Sequence, residues 1–142
     1  MLLGTIFAAD WVIHRRDPRW LVIGVFDEPA HLASAALVSR RPAFLVGAVL
    51  PDLDHIPLAL APDHPKGGDP RPKSHCLLLT ATVALVSPAA AAGTLVHFAR
   101  DLADDSGVPL LWPLSDRAVK VPYPLYGLTA AALALHKAVN PS

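Results

Sequence analysis

Histidine and aspartate recur in this chain within segments that are otherwise apolar: Pro51-Asp52-Leu53-Asp54-His55, Ser74-His75, and His97-Phe98-Ala99-Arg100-Asp101. Ionised carboxylates and imidazoles beside so much hydrocarbon are costly unless something compensates them. A divalent cation compensates several at once, so the residue types point first to metal binding. His97 and Asp101 stand at i and i+4, on one face of a helix. Asp52, Asp54 and His55 crowd together just past an apolar stretch, which suits a turn converging on a cation. Glu28 and His31 fall on adjacent turns, with Pro29 between them. Each pattern also has a plainer reading: a surface pair for His97 and Asp101, helix capping for Asp52 or Asp54, a polar helix start for His75. His14, His64 and His136 lie in a basic cluster, a loop and a His-Lys pair, and are read as outside the ligand set. Singly the motifs are weak; together they favour a metal.

The elements that must position these residues are short helices. Proline and glycine punctuate the chain throughout, and only Val22 to Phe26 reads as β-like, too short a run to build a sheet. Asp27-Glu28-Pro29 predicts a helix start, with Asp27 as cap and proline in the first turn, continuing past His31 to about Arg40. Arg41-Pro42 breaks it, and Ala43 to Leu50 predicts a further helix stopping at Pro51. Residues 62–73 form a polar loop able to act as a lid. The expected fold is therefore all-α, a single domain over residues 1–142 built as a compact bundle of short helices.

From Cys76 to Val96 no residue carries a charge, and length alone suggests a transmembrane helix. A straight helix would hold His75 and His97 about 33 Å apart, at roughly 1.5 Å per residue. Ser87-Pro88 interrupts the segment near its middle, where proline removes a helical hydrogen bond. A hairpin broken there returns both histidines to one end. Its arms, about 15–18 Å each, are too short for a bilayer core of roughly 30 Å. The hairpin is the predicted arrangement.

Composition sets the surroundings. Hydrophobic residues make up 53% and charged residues 17%, with 12 basic against 12 acidic side chains. A mean hydropathy of +0.41 points to a membrane or an unusually buried body. Zero formal charge offers no broad attraction to nucleic acid, and no specific nucleic-acid binding is expected. Cys76 is the one cysteine, which excludes an internal disulfide and a Cys-rich zinc site, so any ion is held by nitrogen and oxygen. Met1 to Ile13 carries Asp10 and runs into His14-Arg15-Arg16, unlike a cleavable signal peptide. It reads as an amphipathic or anchoring helix too short to span a bilayer comfortably; if it touches one, the basic cluster favours the cytoplasmic side.

The ordered strings Gly47-Ala-Val-Leu-Pro-Asp-Leu-Asp-His55, Lys73-Ser-His-Cys-Leu-Leu78, Leu95-Val-His-Phe-Ala-Arg-Asp101 and Ser106-Gly-Val-Pro-Leu-Leu-Trp-Pro-Leu-Ser115 resemble the YdjM-type family. That family is described as membrane-bound, metal-dependent hydrolases. The resemblance covers residues 28–115, and His31 matches the family's first histidine. It implies a helical fold distantly similar to zinc-dependent phospholipase C and single-strand-specific nucleases, phosphoester hydrolysis, and attachment to the cytoplasmic membrane. Where the family carries His-Arg-Gly ahead of Thr-His-Ser, this chain reads Pro70-Arg-Pro-Lys-Ser-His-Cys76.

The candidate ligands for one or two divalent ions, expected to be zinc, are His31, Asp52, His55, His75, His97 and Asp101. Asp54 is the expected general base or orienting carboxylate, and Arg71 and Lys73 the contacts to a substrate phosphate. Residues 110–115 are expected to pack under the site, with Trp112 toward a membrane interface. Two functions follow: a membrane-associated hydrolase using metal-activated water, or a non-catalytic membrane or partner-binding protein with a structural metal. Ordinary polar caps in a core are the third and weakest reading.

Overall fold

Three prolines, Pro42, Pro88 and Pro124, stand in the first turn of helices, where a missing N–H costs nothing. The computed structural model describes residues 1–15, 20–55, 74–104 and 106–140. It is all-α: α1 (Leu2–Arg15), α2 (Trp20–Val38), α3 (Pro42–Val49), a 3-10 turn (Pro51–Asp54), α4 (Leu77–Ala84), α5 (Pro88–Asp101) and α6 (Tyr123–Val139). Among the described residues the sole β pairing is an isolated bridge between Val108 and Val119. The 62–73 loop, with His64, Arg71 and Lys73, lies outside the described residues.

Two small apolar clusters join the helices. Ile6, Ala33, Leu37 and Ala130 bring α1, α2 and α6 together. Ser34 Oγ and Tyr126 OH add a 2.7 Å hydrogen bond between α2 and α6. Ala35, Phe44 and Ala48 join α2 to α3, with Ala92 and Val96 of α5 packed against them. These cores are rich in alanine, so the helices approach closely. At the α3–α5 crossing backbone meets backbone. A Cβ added at Gly93 would lie 2.9 Å from Ala48 N and closer still to Phe44 O. One added at Gly47 would run into the Ala90 carbonyl. Only glycine fits at either position.

The break at Ser87-Pro88 forms as expected. Ser87 Oγ caps α5 by accepting from Ala90 N at 3.2 Å, and Thr80 and Thr94 bridge the two arms at 2.8 Å. The apolar segment thus folds back on itself as α4 and α5. No helix among the described residues is long and apolar enough to cross a membrane.

Four local expectations need correction. Val22 to Phe26 is helical rather than β-like, because it lies inside a 19-residue helix whose context overrides its β-branched side chains. Asp27-Glu28-Pro29 is helix interior rather than a start. The Asp27 carboxylate does not cap; it pairs with Arg100 on α5. Pro29 stands inside the helix, where it removes one backbone hydrogen bond. His75 does not open a helix either, since α4 begins at Leu77 after an extended Cys76. Finally, residues 110–115 do not form a buried floor. Leu111 and Leu114 are exposed, and the segment acts through its backbone, with Leu110 O accepting from Leu77 N at 2.9 Å.

Candidate metal centre

Four elements deliver the polar side chains to one place. α2 contributes Asp27 and His31, one turn apart. The 3-10 turn after α3 supplies Asp52 and Asp54, and His55 follows it directly. The stretch before α4 supplies His75, and the last turn of α5 supplies His97, Arg100 and Asp101. His31, His75, His97 and Asp101 are almost completely buried, whereas Asp54 and His55 are each 29% exposed and mark the open edge.

The close α3–α5 crossing fixes His97. Its Nδ1 donates to Ala48 O at 2.7 Å, and because a carbonyl can only accept, the proton there is settled. The other ring nitrogen, Nε2, then faces the cluster, the usual way a ligand histidine is oriented. Nε2 of His97 lies 3.3 Å from His75 Nε2 and 3.1 Å from Asp101 Oδ2. Asp52 Oδ1 lies 3.1 Å from His75 Nε2 and 3.5 Å from His97 Nε2, and Asp101 Oδ2 is 3.6 Å from His75 Nε2. These five separations, 3.1–3.6 Å, are close to the spacing of ligand atoms that share one ion at bonds of about 2.0–2.1 Å. His55 Nδ1 adjoins them, 3.3 Å from Asp52 Oδ1. Histidine and carboxylate donors grouped this closely could hold a metal ion.

The remaining carboxylate oxygens turn the other way. Asp101 Oδ1 is 3.3 Å and Asp52 Oδ2 3.8 Å from His31 Nε2, and Asp27 Oδ1 is 3.7 Å from the same nitrogen. Arg100 Nη1 enters this second group, bonding Asp27 Oδ1 and lying 3.2 Å from His31 Nε2. The His31 and His97 rings stack, with centroids 3.7 Å apart. His31, Asp52, His55, His75, His97 and Asp101, all expected as ligands, are therefore brought together. Asp54 sits beside them, Oδ1 3.2 Å from His55 Nδ1 and Oδ2 3.9 Å from His75 Nδ1.

Charges are tightly interlocked. Burial opposes ionisation of Asp101, yet His31 and His97 hold it well below the ordinary carboxylate range. Asp52 is lowered against the same burial penalty by His75, His97 and His31. Asp27 is lowered too, with His31 and Arg100 overcoming burial. Burial opposes protonation of His97, but Asp101 and Asp52 outweigh it and raise the imidazole to about 10. Glu28 is pushed up to about 7 by burial and the nearby Asp52 carboxylate. For His31, burial and the His97 and Arg100 charges are outweighed by Asp27 and Asp101, which favour the protonated ring. The Arg100 N–H aimed at Nε2 requires the neutral ring, because two N–H donors cannot face one another at 3.2 Å. With Nε2 as acceptor, the lowering of Asp101 rests on His97, that of Asp52 on His75 and His97, and that of Asp27 on Arg100. His31 Nδ1 and His75 Nδ1 are buried with no hydrogen-bond partner among the described residues. Such orphaned donors mark a polar site built for more than packing.

Sequence reasoning missed Asp27 and Arg100. Asp27 was hidden by Pro29, which makes the segment read as a helix start. Arg100 lay in plain view between two ligand positions, and its i+3 spacing from His97 was the available signal. His136 is exposed on α6, away from the cluster.

The chain matches no family model, no curated protein and no solved structure.

Proposed function

We propose that this protein is a metal-dependent hydrolase of phosphoesters, with zinc held by Asp52, His75, His97 and Asp101 and His55 at its edge. The supporting observation is the set of buried and half-buried donor atoms 3.1–3.6 Å apart, bordered on one side by the partly exposed Asp54 and His55. A bound divalent ion supplies Lewis acidity and a nucleophile drawn from water near neutral pH. His97 is held in register by Ala48 O, and the buried walls of His31, His75 and Asp101 exclude bulk water. Asp54, whose carboxylate oxygens are buried beside His55 and His75, accepts a proton there during attack. Arg71 and Lys73 bind the substrate phosphate. The resemblance to YdjM-type hydrolases supports the same reaction class.

A second reading has its own support. Four protein donors can close a tetrahedron, and closed sites are structural. Zinc-loaded protein assayed on bis(p-nitrophenyl) phosphate and on phospholipid separates the two. Turnover lost in Asp54→Asn, with zinc retained, supports the hydrolase. Fully loaded protein without turnover on either substrate supports the structural metal.

Membrane lipid is the proposed partner, and the cytoplasmic membrane the proposed location. α4 has no buried residue, and Leu85 and Val86 at the hairpin tip are 88% and 89% exposed. Apolar side chains at a tip can enter a lipid surface without spanning it. Co-sedimentation with anionic vesicles should fall in the Leu85→Asp/Val86→Asp variant; unchanged binding would remove this contact.

A further inference from the structure

The carboxylates of Asp52 and Asp101 each present one oxygen to the His75/His97 side and the other to the His31 side. Bridging carboxylates of this kind shape two adjacent cation positions. The first is lined by Asp52 Oδ1, His75, His97 and Asp101 Oδ2. The second is lined by Asp27 Oδ1, His31 Nε2, Asp52 Oδ2 and Asp101 Oδ1, all within 3.8 Å of the His31 nitrogen.

The two positions differ in one respect. Arg100 Nη1 bonds Asp27 Oδ1 and points at His31 Nε2, the lone pair that a metal would need. Two of the four donors of the second position are thus already engaged by a cation. Arg100 is itself buried, and a guanidinium carries its charge at every working pH. A divalent ion in the same place would have to displace it from Asp27 or sit against a like charge.

We propose that Arg100 is the resident second cation of this centre, so that the chain holds one metal ion beside a guanidinium rather than two ions. Asp27 then anchors Arg100 and is not a ligand. This rests on the metal-centre reading above and deepens it. The arginine stands where a second ion would otherwise sit and gives the bridging carboxylates a fixed positive neighbour whatever the metal supply.

Native mass spectrometry of the full chain, prepared metal-free and titrated with zinc acetate, counts the ions without reference to activity. The expected result is one zinc in the wild type and two in Arg100→Met, where the second position is vacated. Two zincs in the wild type, or one in both proteins, would overturn the assignment while leaving the metal centre standing. No zinc in the wild type would overturn the metal centre and this inference with it. Because Arg100→Met strands a buried carboxylate and can fail to fold, Asp27→Asn serves as the second variant. It should keep one zinc, and loss of that ion would make Asp27 a ligand and Arg100 no substitute for a metal.

Discussion

His75 and His97 bring their Nε2 atoms to 3.3 Å across 22 positions of sequence. Two imidazole nitrogens that close, each flanked by a carboxylate, are held together by a shared proton or by a cation. Since the protein folds with His97 favouring its charged form, the proton fills the gap when metal is withheld. On the proposed function, a metal ion and this proton would compete for one place.

His97→Ala should abolish zinc binding, and His75→Ala should weaken it severely. His136→Ala, altered on the exposed face of α6, should bind zinc as the wild type does. Elemental analysis of the three proteins after identical zinc loading checks this. Equal zinc in all three would place the ion elsewhere.

Stability of the metal-free protein should depend on pH with two limbs. Asp27, Asp52 and Asp101 are lowered from 3.8, so their contribution is present above that value and disappears as acid protonates them. His97 is raised from 6.5 to about 10, so its contribution is complete below 6.5 and fades as pH rises toward 10. Glu28, raised from 4.5 to about 7, loses its contribution over that span, so melting temperature in chelator should be highest near pH 4 to 5. On the proposed function zinc would replace the His97 proton, so its stabilising shift should grow from pH 6 to 8. A zinc shift that shrinks over that range would contradict the competition.

Gly93→Ala should disturb both fold and site. The added methyl meets the Phe44 carbonyl and Ala48 N, and overpacking of this kind costs about 1–3 kcal/mol or more. The same displacement moves Ala48 O away from His97 Nδ1, and loss of such an orienting bond weakens metal binding about 10–100-fold. Denaturant melts and zinc titration of one sample measure the two effects together.

Ser87→Ala removes the cap of α5 and should cost about 1 kcal/mol, with zinc affinity unchanged. The cap sits at the far end of α5 from His97 and Asp101, and the Thr80–Thr94 bond still joins the arms. Chemical denaturation with and without zinc tests the separation.

Much of this arrangement is legible in the sequence because it rests on local rules. Proline after a cap-forming serine marks the hairpin, and the hairpin alone carries His75 back to His97. The Asp52 to His55 turn follows from Pro51 ending an apolar helix. What stays hidden is non-local. Asp27 looks like a cap until Arg100 arrives from α5 to claim its carboxylate, and no rule of spacing connects residues 73 positions apart. The roles of Gly47 and Gly93 likewise show only where the first meets the Ala90 backbone and the second the backbone of Phe44 and Ala48.

That contact has a bearing on mutational tolerance. The distance from Ala48 O to His97 is set by main chain against main chain, with no side chain between to repack or slip. Apolar residues on the outer helix faces can be exchanged for one another without retuning the histidine. Two residues with no side chain are the least replaceable positions outside the ligands themselves, and a saturation library should find them as intolerant as His97.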